Sequence, residues 1–254
     1  MPWLFKENNY YSELIQYRKL DDLRLGIAKK LNQQNNRTSL NRDYSLEASM
    51  RSRRKLIDYG LNNPWTHFLT LTLDSSKINR YDYDIIKKRL SNSLKNYQQR
   101  TDPDFKYVIS PELHKDGAIH FHGLLYLNQV TDDLVKYNPQ QSAVYSRKHK
   151  KKVVVFDWLP YSTKFGFTHL VKIYNQAEFV TYYMTKYITK SNDNLTSYRY
   201  MNSRGLKRSK EHHLDTLPLV PNVVPSFVNK FVTKYRLDNP KDIEMVKWFI
   251  ESGY

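Results

Sequence analysis

Residues 111–126 read Pro-Glu-Leu-His-Lys-Asp-Gly-Ala-Ile-His-Phe-His-Gly-Leu-Leu-Tyr, and they constrain the fold more than any other segment. The run Phe105–His114 has the character of a β-strand. Lys115-Asp116-Gly117 is a turn signal in which glycine can take positive φ. A second strand then begins near Ile119. A hairpin of this kind commits the chain to an antiparallel sheet. With a three-residue loop, Glu112 falls opposite His120. Alternate side chains leave opposite faces of a strand. Leu113, Ile119 and Phe121 therefore share an apolar face, and Glu112, His114, His120 and His122 share a polar one. Two histidines two residues apart on one face can reach one metal ion. One carboxylate with several imidazoles suits Mn²⁺, Mg²⁺ or Zn²⁺. The same pattern also describes a solvated hairpin with a His-rich side.

Two further segments carry chemistry. In Thr66–Asp74, Leu69, Leu71 and Leu73 alternate with Thr70, Thr72 and Asp74, the period of a half-buried strand. Thr70 and Thr72 are candidate nucleic-acid contacts. Glu178–Lys190 has helical spacing, with Phe179, Val180, Met184 and Ile188 as its apolar residues. On that helix Tyr183 and Tyr187 lie one turn apart, and Lys186 and Lys190 flank their face. An ammonium beside a phenol favours the phenolate, and a phenolate is an oxygen nucleophile toward phosphorus. An amphipathic helix using tyrosine as a half-buried residue has the same appearance, and the chain holds 21 tyrosines.

In order, Phe-Leu-Thr-Leu-Thr, His-Phe-His and Tyr-Met-Thr-Lys-Tyr-Ile-Thr-Lys resemble the three motifs of the HUH endonuclease superfamily. The likeness is to rolling-circle replication initiators of small phages and plasmids, of the two-tyrosine type. It covers roughly residues 66–190. The resemblance implies an α+β fold, with a five-stranded antiparallel sheet of ferredoxin-like or RNA-recognition-motif-like topology. It implies a divalent ion, Mn²⁺ or Mg²⁺, held by His120 and His122 with Glu112 as the upstream acid. His114 is the less favoured ligand. It implies that Tyr183 or Tyr187 attacks a backbone phosphate of single-stranded DNA, aided by Lys186 or Lys190. The products are a 5′-phosphotyrosyl link and a free 3′-OH that primes replication. Tyr182 projects about 100° from Tyr183 and reads as structural. A relaxase or transposase of the same superfamily shares this chemistry, and a non-catalytic nucleic-acid-binding module shares its outline.

Composition agrees with a phosphate-rich partner. The net charge is +16 and the pI about 9.7, which favours polyanions. The cations cluster at Arg51, Arg53 and Arg54, at Lys150, Lys151 and Lys152, and at Arg204, Lys207 and Arg208, all candidate DNA contacts. Tyr145, Tyr161, Tyr198 and Tyr200 lie near these runs as candidate stacking residues. The expected partners are a single-stranded origin, including one folded into a hairpin, and a host helicase and DNA polymerase. The absence of cysteine excludes disulfides and thiol catalysis. No signal-peptide pattern and no membrane-length apolar run is present, so the expected location is the cytoplasm of a bacterial host, with no membrane partner. No Gly-x-x-x-x-Gly-Lys-Ser/Thr motif occurs, so no helicase module of that kind is expected.

The chain divides by these signals into a helical N-terminal extension (1–64), a nuclease domain (65–192) and a C-terminal extension packed on it (193–254). Residues 10–60 read as two or three helices, with Ser12 and Asp21-Asp22 as possible starts. Gly60 and Asn62-Asn63-Pro64 stop the last of them. A helix from Tyr81 to Asn96 links the first two strands and buries Ile85, Ile86, Leu90 and Leu94. Residues 128–150 read as an irregular insertion. Val153–Phe156 and Thr168–Tyr174 read as further strands. A partly helical tail follows, with Pro218, Pro221 and Pro225 in an extended segment.

Overall fold

The computed structural model describes residues 2–17, 37–128, 130–142, 145–146, 151–152, 154–174, 177–190, 200–217, 219–229 and 232–252. The side chains of 37–47, 141–146, 151–152 and 186–190 lie outside the described set. The expected helix start at Asp21-Asp22 and the cation Lys150 also lie outside it. In chain order the strands are β1 (Trp3–Glu7), β2 (Ser12–Tyr17), β3 (His67–Leu73), β4 (Lys106–Leu113), β5 (Ile119–Tyr126), β6 (Val135–Tyr137), β7 (Tyr145–Ser146), β8 (Lys151–Lys152), β9 (Phe156–Trp158), β10 (Gly166–Lys172), β11 (Met201–Asn202), β12 (Lys210–Leu214), β13 (Phe227–Val228) and β14 (Val232–Leu237). The helices are α1 (Arg37–Asn62), α2 (Tyr83–Arg100), α3 (Pro139–Ser142), α4 (Leu159–Ser162), α5 (Ala177–Lys190) and α6 (Pro240–Glu251). The fold is α+β with antiparallel sheets. Two units arise, one from Met1–Tyr44 with Arg208–Tyr254 and the other from Ser45–Lys207.

The first unit holds a sheet in the order β12-β1-β2-β14-β13. Residues 12–17, expected to begin a helix, form β2 instead. Pairing with β1 and β14 holds them as a strand, and Asn8 helps locally. Its side-chain oxygen accepts from the backbone N–H of Tyr10 at 2.9 Å and of Tyr11 at 3.1 Å, which closes a turn rather than starting a helix. Trp3, Phe5, Leu14, Leu214, Leu237 and Val246 form this unit's core. Among the described residues the C-terminal tail contains four strands, β11 to β14, as well as a helix.

The second unit holds a sheet in the order β11-β4-β5-β3-β10-β9-β6. Seven strands replace the expected five. The additions sit at or toward the edges, where unpaired N–H and C=O groups accept a further strand. The expected insertion supplies β6, which pairs with β9, and the segment after α5 returns as β11 against β4. The strand expected over 153–156 begins only at Phe156.

One face of this sheet packs on α2. Tyr83, Ile86, Leu90, Leu94 and Tyr97 are the helix's buried residues, and they meet Leu69, Leu71, Leu73, Ile119 and Phe121. Ile85, expected in this stripe, is 50% exposed. It lies about 100° around the helix from Ile86, outside the arc that spacings of three and four trace. Asp82 caps the helix by accepting from the Ile85 N–H at 3.0 Å.

The other face carries a second cluster of Leu56, Tyr59, Trp65, Val108, Leu124 and Met184, with contributions from α1 and α5. Gly60 does not end α1, which runs on to Asn62. It is a contact glycine. A Cβ there would lie 2.8 Å from Thr181 Cβ and closer still to its Cγ2 and Oγ1. The absent side chain lets α5 approach α1. On α5 the inward residues include Ala177, Thr181, Met184 and Thr185, while Phe179, expected inside, is 63% exposed.

Candidate active site

The β4–β5 hairpin has the three-residue-loop register, with Leu113 opposite Ile119 and Glu112 opposite His120. Gly117 takes φ 81° in the turn, a backbone region that glycine enters at little cost. Asp116 accepts from the Ala118 N–H at 3.0 Å and holds the turn.

Register across β3 then assembles a polar row. Thr70 lies opposite His122 and Thr72 opposite His120. The threonine hydroxyls meet the Nδ1 atoms of these histidines, at 3.2 Å for Thr70 with His122 and 3.3 Å for Thr72 with His120. His122 Nε2 lies 2.8 Å from Glu112 Oε2. The His114 and His120 rings stack with centroids 4.1 Å apart. Burial lowers the pKa of His120, and the nearby His114 and His122 add to the effect. Burial also lowers that of His122, partly opposed by its hydrogen bond and charge interaction with Glu112. Both imidazoles are thus held toward the neutral form, the form that ligates metals.

The donor chemistry suits a divalent ion. A hydroxyl on Nδ1 orients each ring and leaves Nε2 as the donor, and Glu112 adds a carboxylate oxygen. Among the described residues no three His, Asp or Glu side chains are drawn together as a closed cage. What fits is the donor set.

Phe68 joins this row to α5. Its ring lies parallel to His122, with centroids 6.2 Å apart and planes at 16°. Its other neighbour is Tyr183, at 5.8 Å and 70°. Tyr183 is 37% exposed, so its ring both packs on Phe68 and reaches solvent. Tyr182 is similarly exposed at 38%, more open than its structural reading implies. The side chains of Lys186, Tyr187 and Lys190 lie outside the described residues.

Beyond β3, His169 lies opposite Thr70 and Phe167 opposite Thr72. Burial lowers the pKa of His169, against the charge of Asp157. The remaining sequence candidates fall elsewhere. Arg51, Arg53 and Arg54 are exposed on α1, and Arg204 and Lys207 are exposed after β11. Arg208 is exposed at the start of the other unit's second segment. Lys151 and Lys152 form β8, of which only the backbone is described. Tyr161, a candidate stacking residue, is 1% exposed, and its hydroxyl donates to the Thr72 carbonyl at 3.3 Å. Tyr200 packs on Tyr59 at 6.4 Å.

Sequence reasoning missed Phe68, Phe167 and His169. The signal for Phe68 was present, since it lies two residues before Thr70 and so shares that face. Phe167 and His169 needed the β10–β3 register, which no local pattern supplies.

An α+β sheet thus presents a His-Thr-Glu row, with a tyrosine helix against it. A model of the replication-associated protein ORF2/G2P family matches residues 66–192. That is half of the chain, and the chain belongs to this family. No curated protein and no solved structure matches it. No helix among the described residues is long and apolar enough to cross a membrane.

Proposed function

We propose that this replication-associated protein is an initiator of the HUH two-tyrosine type, which nicks and rejoins single-stranded DNA at an origin. Tyr183 or Tyr187 attacks a backbone phosphate. The new bond joins the phenolic oxygen to phosphorus, and the bond from phosphorus to the 3′ oxygen breaks. The phenolic proton is lost and the leaving 3′ oxygen gains one. The 5′ end stays on the tyrosine, and the free 3′-OH primes rolling-circle synthesis. The phosphotyrosyl link conserves the bond energy, so rejoining needs no ATP.

The observation that carries the reading is the ring contact of Tyr183 with Phe68 and of Phe68 with His122. It brings the tyrosine motif and the His-x-His motif to one face. Glu112, His120 and His122 would hold a divalent ion, Mn²⁺ or Mg²⁺, whose charge would polarise the scissile phosphate. Thr70 and Thr72 orient the two imidazoles and offer hydroxyls to the strand. Lys186 and Lys190 supply positive charge on the tyrosine helix, which would offset charge building on the phosphate as the new bond forms. With two tyrosines, one holds the first DNA end while the other attacks a second junction. Arg51, Arg53, Arg54, Arg204, Lys207 and Arg208 are the phosphate contacts among the described side chains, and Lys150, Lys151 and Lys152 form a further cationic run of the same kind. Unwinding and synthesis fall to the host helicase and polymerase.

The test is cleavage of single-stranded DNA from the protein's own replicon, with Mn²⁺ and with EDTA, read as covalent adducts on denaturing gels. A metal-dependent 5′ adduct is expected, lost in the Tyr183→Phe/Tyr187→Phe double variant. Loss with one single variant would name that residue the sole nucleophile. Tight binding without any adduct would leave a binding module and end the nuclease reading.

A further inference from the structure

The β10 strand adds to the site something that the three motifs do not contain. Its buried residues, Thr168 at 1% and Leu170 at 0% exposure, share a face with the buried leucines of β3. Phe167 and His169 therefore share the face of Thr70, Thr72, His120 and His122. Across it, Phe167 lies opposite Thr72, and Thr72 lies opposite His120, whose neighbour is Glu112. The next row joins Ser110, His122, Thr70 and His169. Phe167 is 59% exposed within a paired strand of the sheet. Two strand spacings separate it from His120, roughly 10 Å, about the reach of one nucleotide from a phosphate held at the histidines.

We infer that Phe167 is a base-stacking residue, which holds an unpaired nucleobase of single-stranded DNA beside the phosphate bound at the His120–His122 row. This inference rests on the proposed nuclease reading and deepens it. The exposed ring supplies a π-face that any base can use, without sequence preference. Charge argues for the occupant, since a chain of net charge +16 favours polyanionic partners. Of polyanions, only one with unstacked bases can use the ring. A duplex hides its base faces, so the strand bound here is single.

The test separates base stacking from phosphate attraction. Fluorescence anisotropy in EDTA measures binding of the full chain to a 20-nucleotide oligothymidylate and to a 20-unit abasic strand with the same phosphates. The wild type should prefer the oligothymidylate. Phe167→Ala should shrink that preference roughly five- to a hundredfold, the scale of one lost stack, and leave abasic-strand binding unchanged. Phe167→Trp should keep it. An unchanged preference in Phe167→Ala, or a wild type that binds both strands alike, would overturn the inference. So would an equal loss on both strands, the mark of a merely structural role. The anisotropy assay reads binding and not adducts, so the result stands apart from the adduct experiment. A lost preference without adducts would keep the stacking residue and sink the nuclease.

Discussion

Gly60→Ala should destabilise the protein, although the same change inside an exposed helix would stabilise it. Alanine is favoured over glycine in a helix interior by about 1 kcal/mol. Here the new methyl would meet Thr181, with Cβ to Cβ at 2.8 Å and Cγ2 and Oγ1 closer still. Thr181 is 0% exposed and cannot turn its side chain away into water. Forcing an extra carbon into a packed contact costs about 1–3 kcal/mol. The contact lies next to the backbone, which puts the cost at the upper end. After the helix gain, the net loss is about 2 kcal/mol. Each kcal/mol lowers Tm by about 2–4 °C in a chain of this size, so Gly60→Ala should melt roughly 4–8 °C below wild type. The same push moves α5, and Tyr183 touches Phe68 at 5.8 Å, so adduct formation should fall by more than the loss of folded protein explains. Gly60→Ala/Thr181→Ala should recover part of both, because only the Cβ contact remains. Circular dichroism melts and urea titrations read the stability. A single variant that melts at or above the wild type would refute the close approach of α1 and α5.

Three further outcomes follow from buried groups. Asn63 is 1% exposed and ties α1 to the segment after β11. It donates to the Tyr59 and Lys207 carbonyls at 2.8 and 3.0 Å and accepts from the Lys207 N–H at 2.9 Å. Asn63→Ala leaves those backbone groups unsatisfied and should cost about 2–3 kcal/mol in urea unfolding, while an effect below about 1 kcal/mol would show the tie to be replaceable by water. Thr181 Oγ1 has no hydrogen-bond partner among the described residues, so Thr181→Val, equal in shape, should raise stability by about 1 kcal/mol, and a lower urea midpoint would count against it. Burial, aided by the charge of Lys172, lowers the pKa of His67 from 6.5 to about 4. Between those values the unfolded chain binds a proton that the folded chain refuses, so stability is full above pH 6.5 and falls as the pH drops toward 4, by up to about 3 kcal/mol. His67→Asn should flatten that slope, and an unchanged slope would assign it to other groups.

The sequence by itself determined the elements whose signals are local. Period-two alternation placed β3, β4 and β5, and a glycine free to take positive φ set the three-residue turn that aligns Glu112 with His120. The helical repeat placed α2 and α5. All of these depend on residues within a few positions of one another. Tertiary structure decided what depends on distant partners. Residues 12–17 became a strand because β1 and β14 lie on either side to pair with them, and a short amphipathic run carries little intrinsic preference of its own. Phe179 turned outward because Thr181, against Gly60, and Met184, against Leu56 and Tyr59, occupy the side of α5 that meets α1. Phe167 and His169 joined the histidine row only through the register of β10 on β3, since a sheet brings together residues that sequence separation keeps apart. The motifs name the chemistry through residue type, but only the sheet places Phe68 against both His122 and Tyr183, because a ring contact is set by packing, which no spacing along the chain encodes.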